Sequence, residues 1–427
     1  MSLSGTKRPG DQICQGEVET ASGRSLCLEA IAIVLHEACS GRTVSVSTKT
    51  LQLVSSHFCE VCRRVSTLRV KVGKDTPRAL WAAPDDRHLA TSVTRVPLLR
   101  ARAVTWMTCA AAEFMTGEND VLVNVEFVEF GPEFNRSLEG VVWPEGVKTI
   151  RFGSGAYDNT AKFNQPIKRV RWPELLEQLV FGRDFNQPIT DVVWPSSLRL
   201  LTFCYNFNLR LDRVAWPASL QQLTLGRSFD QPIKGVVWPS SLKQLTFGFS
   251  FNRSIQGVMW PASLREVKFG AKFNQPIKGA GQPGSLERLT FGFHFNQPVE
   301  GVVWPASLQY LAFSDEFNQP VGAVLWPASL HTLIFGYNFN QPVEGVIWPP
   351  TLKVLEFGRE FNHPIKGVKW PKLEDLRFGW KFNRSVKGVK WPRTLERLRF
   401  GQFRRGMENV AWPPWLCWGQ PNFDEPE

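Results

Sequence analysis

The sequence predicts an α+β protein in which a small helical N-terminal domain precedes a parallel-β solenoid with turns of about 22 residues. Three observations predict this class. Tryptophan recurs at a fixed step along most of the chain, and each step carries a short alternation of apolar and polar residues. Ahead of these repeats, residues 26–38 and 51–65 show the apolar spacing of helices.

The repeat can be followed by its leading tryptophan, which we number as position 0 of each unit. Between Trp172 and Trp370 the step is 22 residues, and Gln282 occupies the one slot without tryptophan. The first step is 29 residues, because residues 154–160 interrupt that unit, and the last two steps are 21. A fixed period of this length is typical of a solenoid of stacked units.

The unit reads W-P-x-S-L-x-x-L-x-F-G-x-x-F-N-Q-P-I-x-G-V-x, and its apolar positions 4, 7 and 9 predict a short strand. In the unit opened by Trp238 these residues are Leu242, Leu245 and Phe247. The glycine at position 10 predicts a turn, and two prolines exclude a long helix. Because one unit cannot bury its apolar face alone, we expect neighbouring strands to pair in parallel over a core of tryptophan, phenylalanine and leucine.

Asparagine recurs at position 14, and we expect its side chain to bond the backbone of the next turn. Asp230 replaces it in one unit. Since a carboxylate accepts hydrogen bonds but does not donate them, we expect a local defect or a bridging water at Asp230.

These residues resemble a known family. L-x-x-L-x-F followed by F-N is similar to the leucine-rich repeat, and Phe-Asn-Gln-Pro before Ile or Val resembles the FNIP-repeat branch of that superfamily. The tetrad stands at 163–167, 185–189, 273–277 and 339–343. The resemblance covers about 121–412 and implies a curved, leucine-rich-repeat-like solenoid that binds proteins.

The residues ahead of the repeats predict a second, smaller part of the chain. Besides the two helices, we expect a short helix over 104–115, whereas Val65–Val72 fits a strand of an eroded repeat. Residues 25–65 resemble a degenerate F-box, mainly through residues 51–58 and without the usual Leu-Pro opening, and a helical cap for the solenoid is the alternative. The predicted division is residues 1–24, disordered; 25–120, the helical cap or F-box-like domain with a basic loop; 121–412, the solenoid; and 413–427, a C-terminal cap and acidic tail.

Composition limits the functions to consider. The formal charge is +11, and most of the excess lies in two basic zones, 63–102 and 352–405. Eight scattered cysteines and a polar N-terminus without a signal peptide predict a cytoplasmic or nuclear protein. Cys59 and Cys62 form one C-x-x-C, which by itself does not predict a metal site. We therefore expect no catalytic residue, metal or cofactor, and no membrane partner.

The side chains at positions 5, 6 and 8 would point away from the core, onto the concave face. They vary from unit to unit while the frame does not, which is typical of a solenoid's binding surface. Tyr310 and His331 form the predicted anchor of this surface. The predicted partner-binding residues of the concave face are Arg199, Gln221, Lys243, Arg265, Glu287, Arg288, Gln309, Tyr310, His331 and Lys353.

Position 11 is aromatic in every second unit. These residues, predicted as a binding edge, are Tyr205, Phe249, Phe293, Tyr337 and Trp380. We expect Arg227 to lie about 5 Å from the rings of Tyr205 and Phe249, close enough for cation–π stacking. Duplication by pairs of units, with the aromatic rings packing on their neighbours, is the alternative interpretation.

The function that these patterns favour is a scaffold that binds a protein partner. The alternative is a substrate receptor of an SCF-type ubiquitin ligase, which would bind a Skp-type adaptor through the F-box-like segment. A third hypothesis, binding of a polyanion or nucleic acid through the basic zones, lacks a recognised nucleic-acid motif.

Overall fold

The computed structural model describes residues 69–72, 103–106, 126–401 without 142, 144–145 and 154–159, and residue 416. The helices predicted over 26–38 and 51–65, the F-box-like segment, the Cys59–Cys62 pair and the disorder predicted for 1–24 lie outside these residues. So does the C-terminal cap, apart from Leu416, which is buried.

The described strands form one 15-stranded parallel sheet, in which the strands follow one another in chain order. None of the described residues is helical. The parallel-β solenoid is therefore confirmed, whereas the helical part of the predicted class lies outside the described residues. The strands are β1 Arg69–Val72, β2 Ala103–Trp106, β3 Phe127–Phe130, β4 Thr149–Phe152, β5 Gln178–Val180, β6 Leu200–Thr202, β7 Gln222–Thr224, β8 Gln244–Thr246, β9 Glu266–Lys268, β10 Arg288–Thr290, β11 Tyr310–Ala312, β12 Thr332–Ile334, β13 Val354–Glu356, β14 Asp375–Arg377 and β15 Arg397–Arg399.

The sheet begins ahead of residue 121. β2 pairs with β1 on one side and with β3 on the other. The helix predicted over 104–115 is therefore wrong for residues 104–106, where Val104, Thr105 and Trp106 are β-branched or aromatic and extend the ladder. The strand predicted within Val65–Val72 is confirmed for Arg69–Val72. The domain boundary at 121 stays a prediction.

The strands keep the register of the repeat, so that each column of side chains holds one position of the unit. Leu245 in β8 lies opposite Leu223 in β7 and Val267 in β9. Positions 4, 7 and 9 are buried as predicted, with Leu242, Leu245 and Phe247 between 0% and 3% exposed.

The aromatic columns form the core, as predicted. Trp238, Trp304 and Trp348 are at most 7% exposed. The phenylalanines of positions 9 and 13 stack within a unit, with 4.1 Å between the ring centroids of Phe247 and Phe251. They also stack between units, with 5.4 Å from Phe247 to Phe269. Each unit therefore shares its core with both neighbours, which is what lets units too small to fold alone stack stably.

The glycine of position 10 is required for close packing of backbones. A Cβ atom at Gly248 would lie 1.8 Å from the carbonyl oxygen of Gly226 in the preceding unit. The turn predicted after this glycine is present, since the Phe251 N–H donates to the Gly248 carbonyl over 3.2 Å. A second, left-handed turn lies at position 19, where Gly235 has φ +85° and the Val236 N–H donates to the Ile233 carbonyl over 3.3 Å. The predicted turn is therefore confirmed, and position 19 adds a second turn that the sequence did not indicate.

The asparagine ladder is confirmed. The Oδ1 atom of each position-14 side chain accepts the backbone N–H of the same position in the next unit, as from Asn186 to Asn164 over 3.0 Å. The defect expected at Asp230 is wrong: its Oδ1 accepts the Asn252 N–H at 2.9 Å, and its second oxygen pairs with Arg253 at 2.9 Å. The ladder needs only an acceptor at this atom, and a carboxylate supplies one.

Candidate functional site

The strand face consists of the side chains at positions 5, 6 and 8 of the units. All ten residues predicted as its partner-binding set are at least partly exposed. Several of them pair along the ladder, since Arg265 pairs with Glu287, and Lys353 pairs with Glu374 over 2.9 Å. Exposed pairs of this kind contribute little to stability, so the face remains open to other partners. Its binding role and concave shape stay predictions.

The predicted anchor lies on adjacent strands. Tyr310 in β11 is opposite Thr332 in β12, which directly follows His331. The Arg288 guanidinium lies 4.1 Å from the centroid of the Tyr310 ring, and His331 Nδ1 lies 2.6 Å from the Ser329 carbonyl oxygen. The sequence placed these residues on one face but did not indicate that Arg288 stacks on Tyr310 and holds its ring.

The C-terminal end of the strand face carries a charged cluster that the sequence did not indicate. Asp375 in β14 stands at an outward position but is 1% exposed, because Arg377 and Arg397 close over it. Burial acts to raise the pKa of Asp375, but hydrogen bonds and charge from Arg377 and Arg397 outweigh burial and hold that pKa below its usual range. The cluster therefore remains ionised near neutral pH.

The edge column is the set of side chains at position 11, from Tyr205 to Trp380. The Arg227 guanidinium lies 5.1 Å from the Tyr205 ring and 4.7 Å from the Phe249 ring, which confirms the predicted stacking. Arg359 occupies the equivalent place, 5.2 Å from Tyr337 and 5.9 Å from Trp380. The partner-binding role predicted for these aromatic residues stays a prediction.

An apolar ridge, missed by the sequence interpretation, lies at position 21. Its side chains precede the buried tryptophan of the next unit and follow a buried valine, so that strand alternation turns them outward. The signal was present, because this position carries a large apolar side chain in six of the described units. The ridge consists of Val193, Val237, Met259, Val303, Leu325 and Ile347, each 77–87% exposed.

The tryptophan column has one gap, at Gln282. A cavity of about 20 Å³ lies beside it, lined by Trp260, Pro283 and Phe291 among others. The Gln282 Oε1 atom is buried and has no hydrogen-bond partner in the described part of the protein. A single water would fit this cavity.

The second basic zone is partly neutralised by ion pairs. Among its cations without an ion pair to the described residues, five are exposed in the segments that join position 14 to the next strand: Lys366, Lys369, Lys387, Lys390 and Arg393. The described part of the chain brings together no three His, Cys, Asp or Glu side chains able to hold a metal ion. Within that same part, no helix has the length and apolarity needed to cross a membrane.

The family model described as FNIP Repeat matches residues 163–206, 207–250, 251–294, 295–338, 325–360 and 339–368. The chain carries FNIP repeats. Each of the first four matches spans 44 residues, which is two units and also the period of the edge column. The F-box-like segment 51–58 lies outside the matched range.

One solved structure supports a leucine-rich-repeat-like fold for these FNIP repeats. The chain is similar to CroV588, described as a novel circular LRR protein, at 28% identity and a TM-score of 0.50. That alignment covers 84% of this chain and 66% of that one, so this chain spans just under two thirds of its length. It also matches the pneumococcal vaccine antigen PcpA at 12% identity, with a TM-score of 0.21 and coverage of 77% and 79%. No curated protein matches the chain.

Proposed function

We propose that this FNIP-repeat chain is a scaffold that binds a protein partner on its strand face. The observation that carries the proposal is the contrast between its positions. Side chains at positions 4, 7 and 9 are buried and nearly uniform, whereas most of those at positions 5, 6 and 8 are at least partly exposed and differ from unit to unit. A constant frame with a varied surface suits recognition of one partner by many small contacts.

Tyr310 is the anchor that best fits a binding hot spot. Tyrosine and arginine are enriched at such positions, and the Arg288 guanidinium holds the ring from one side. Because the ring is already ordered, a partner that packs against it loses little side-chain entropy on binding. His331, on the next strand, adds an adjacent polar group.

Affinity capture from native extract tests the proposal. The bait would be the full chain, compared with a Tyr310→Ala/His331→Ala variant. A matched control, Met259→Ser/Val303→Ser, changes two exposed residues of the apolar ridge. We expect the strand-face variant to lose a bound protein at least tenfold while the ridge variant keeps it. Capture that depends on the ridge residues and not on Tyr310 and His331 would refute the assignment to the strand face.

A further inference from the structure

Two arginines of the edge column are held between aromatic rings of the same chain. The Arg227 guanidinium lies between the rings of Tyr205 and Phe249, 5.1 Å and 4.7 Å from their centroids. These two rings belong to units two apart, so the gap between them is about 10 Å. This agrees with two strand spacings of about 4.8 Å each. The column therefore forms slots of about 10 Å between successive rings, and a guanidinium fits such a slot.

The slot between Phe293 and Tyr337, which we call the Asp315 slot, has no cation of its own. Asp315 takes the place that Arg227 and Arg359 hold in the equivalent units. Phe293 is 45% exposed and Tyr337 is 41% exposed. Arg359 stacks on Tyr337 from the far side, and the described residues place no guanidinium or ammonium within stacking distance of Phe293.

The Asp315 carboxylate makes no hydrogen bond or ion pair with the described residues, although its backbone carbonyl accepts the Asn338 N–H over 2.7 Å. A polar hollow that begins at the next residue is lined by Glu316 and Glu360 together with four asparagines, and these two carboxylates pair with His294 and Lys381. Residues 295–360 hold six acidic residues against two basic ones, a formal charge of −4 in a chain of +11. The surroundings of the slot therefore favour a cation.

We propose that the Asp315 slot binds an arginine side chain of a protein partner. The guanidinium would stack between the rings of Phe293 and Tyr337, as Arg227 stacks between Tyr205 and Phe249, and would donate two hydrogen bonds to the Asp315 carboxylate. Arginine fits better than lysine, because its flat, weakly hydrated cation stacks on rings and bonds a carboxylate with both arms. The neighbouring slot at Ala271 is less open, since Lys272 Nζ lies 6.0 Å from the Phe249 ring.

This binding surface is separate from the proposed strand-face site, because it uses none of the residues assigned there. The local negative charge also disfavours phosphate-bearing partners, including nucleic acids and anionic lipids. The partner expected at the Asp315 slot is therefore a protein segment with an exposed arginine.

Saturation-transfer NMR on the full chain tests the inference. The probe is the peptide acetyl-Gly-Ser-Arg-Ser-Gly-amide, and its counterpart carries citrulline, which keeps the shape of arginine but not its charge. We expect saturable binding of the arginine peptide in the millimolar range and at least tenfold weaker binding of the citrulline peptide. Phe293→Ala should weaken binding roughly threefold to fivefold, since one of two cation–π contacts is lost.

The decisive variant is Asp315→Arg, which fills the slot from within the chain. It should fold, because Arg227 and Arg359 occupy the same position in other units, and it should abolish peptide binding. Glu300→Arg is the matched control, with the same change of charge at an exposed residue outside the slot. It should keep the affinity within about twofold. Absence of binding to the unchanged chain, equal binding of citrulline, or equal losses in the two charge variants would overturn the inference. Tyr310→Ala/His331→Ala should leave peptide binding intact, so the two proposals fail independently.

Discussion

Filling the gap in the tryptophan column should stabilise the solenoid locally. In Gln282→Trp the new indole would stack on Trp260 and Trp304, which flank the gap, as Trp304 stacks on Trp326 with 6.3 Å between centroids. A buried tryptophan removes about 200 Å² from water, and a gain of half that over glutamine gives about 2.5 kcal/mol. Two new stacked pairs add about 1 kcal/mol, and repacking costs about 1–2 kcal/mol.

Hydrogen bonding does not change this estimate of the stability gained in Gln282→Trp. The Gln282 Oε1 atom is buried without a partner, and so are the indole Nε1 atoms of Trp238 and Trp304. The substitution therefore exchanges one unpartnered group for another, and we expect a net gain of about 2 kcal/mol. The cavity beside Gln282, about 20 Å³, should close.

Hydrogen exchange measures this gain where it arises. The Glu287 N–H, which donates to the Arg265 carbonyl over 2.8 Å, should exchange roughly thirtyfold more slowly, as about 2 kcal/mol requires. The Glu374 N–H, four units further along the chain, should not change, because stability in a solenoid passes mainly between neighbours. Gln282→Ala is the control and should speed exchange at Glu287. Unchanged or faster exchange in Gln282→Trp would contradict the packing argument.

Three further substitutions test other parts of the frame. Gly248→Ala should cost about 1–3 kcal/mol in chemical denaturation, because its Cβ would meet a carbonyl oxygen at 1.8 Å, whereas Gly322→Ala, with open space around it, should be neutral. Asp191 has φ 62°, so Asp191→Val should lower the free energy of unfolding by about 1–2 kcal/mol, and an equal effect of Arg213→Val, at the same position without positive φ, would argue against this cause. The lowered pKa of Asp375 stabilises the folded state above the unfolded value of 3.8, and this contribution is lost as pH falls through the lower folded value. The urea midpoint should therefore fall as the pH is lowered below about 3.8, and Asp375→Asn should flatten that fall; identical pH profiles would exclude this role.

The repeat frame could be predicted from the sequence because the same unit recurs many times along the chain. Leu245 and Phe247 are buried and paired as their alternation indicated, and the tryptophan column follows from its constant step. At Gly248 the sequence predicted the turn but not the close backbone contact with Gly226. Glycine is needed both for left-handed φ and for close backbone contact, and a single sequence does not distinguish the two.

The features that escaped prediction depend on contacts between units. From its position in the strand Asp375 should be exposed, but Arg377 and Arg397 cover it. The repeat period does not indicate the conformations of these two arginine side chains. Asp230 was expected to break the ladder because the demand on its side chain was overestimated. In the structure the Asp230 Oδ1 atom only accepts a hydrogen bond, because the Asn252 N–H of the next unit is the donor. The strand at Ala103–Trp106 likewise depends on pairing with the edge of β3, which the sequence of residues 103–106 does not indicate.

The edge column shows where this solenoid can vary without harm to its fold. Arginine, alanine and aspartate all occur at position 11 between aromatic rings, while Phe251, Phe273 and the other core phenylalanines below them keep the same stack. Packing therefore does not decide which side chain stands between the rings. An arginine at 315 would complete the pattern set by Arg227 and Arg359, and an acidic residue there instead leaves a carboxylate and an exposed ring without a cation. Because the fold does not require this departure, the aspartate is free to serve the proposed binding of a partner's arginine, which would supply the missing charge.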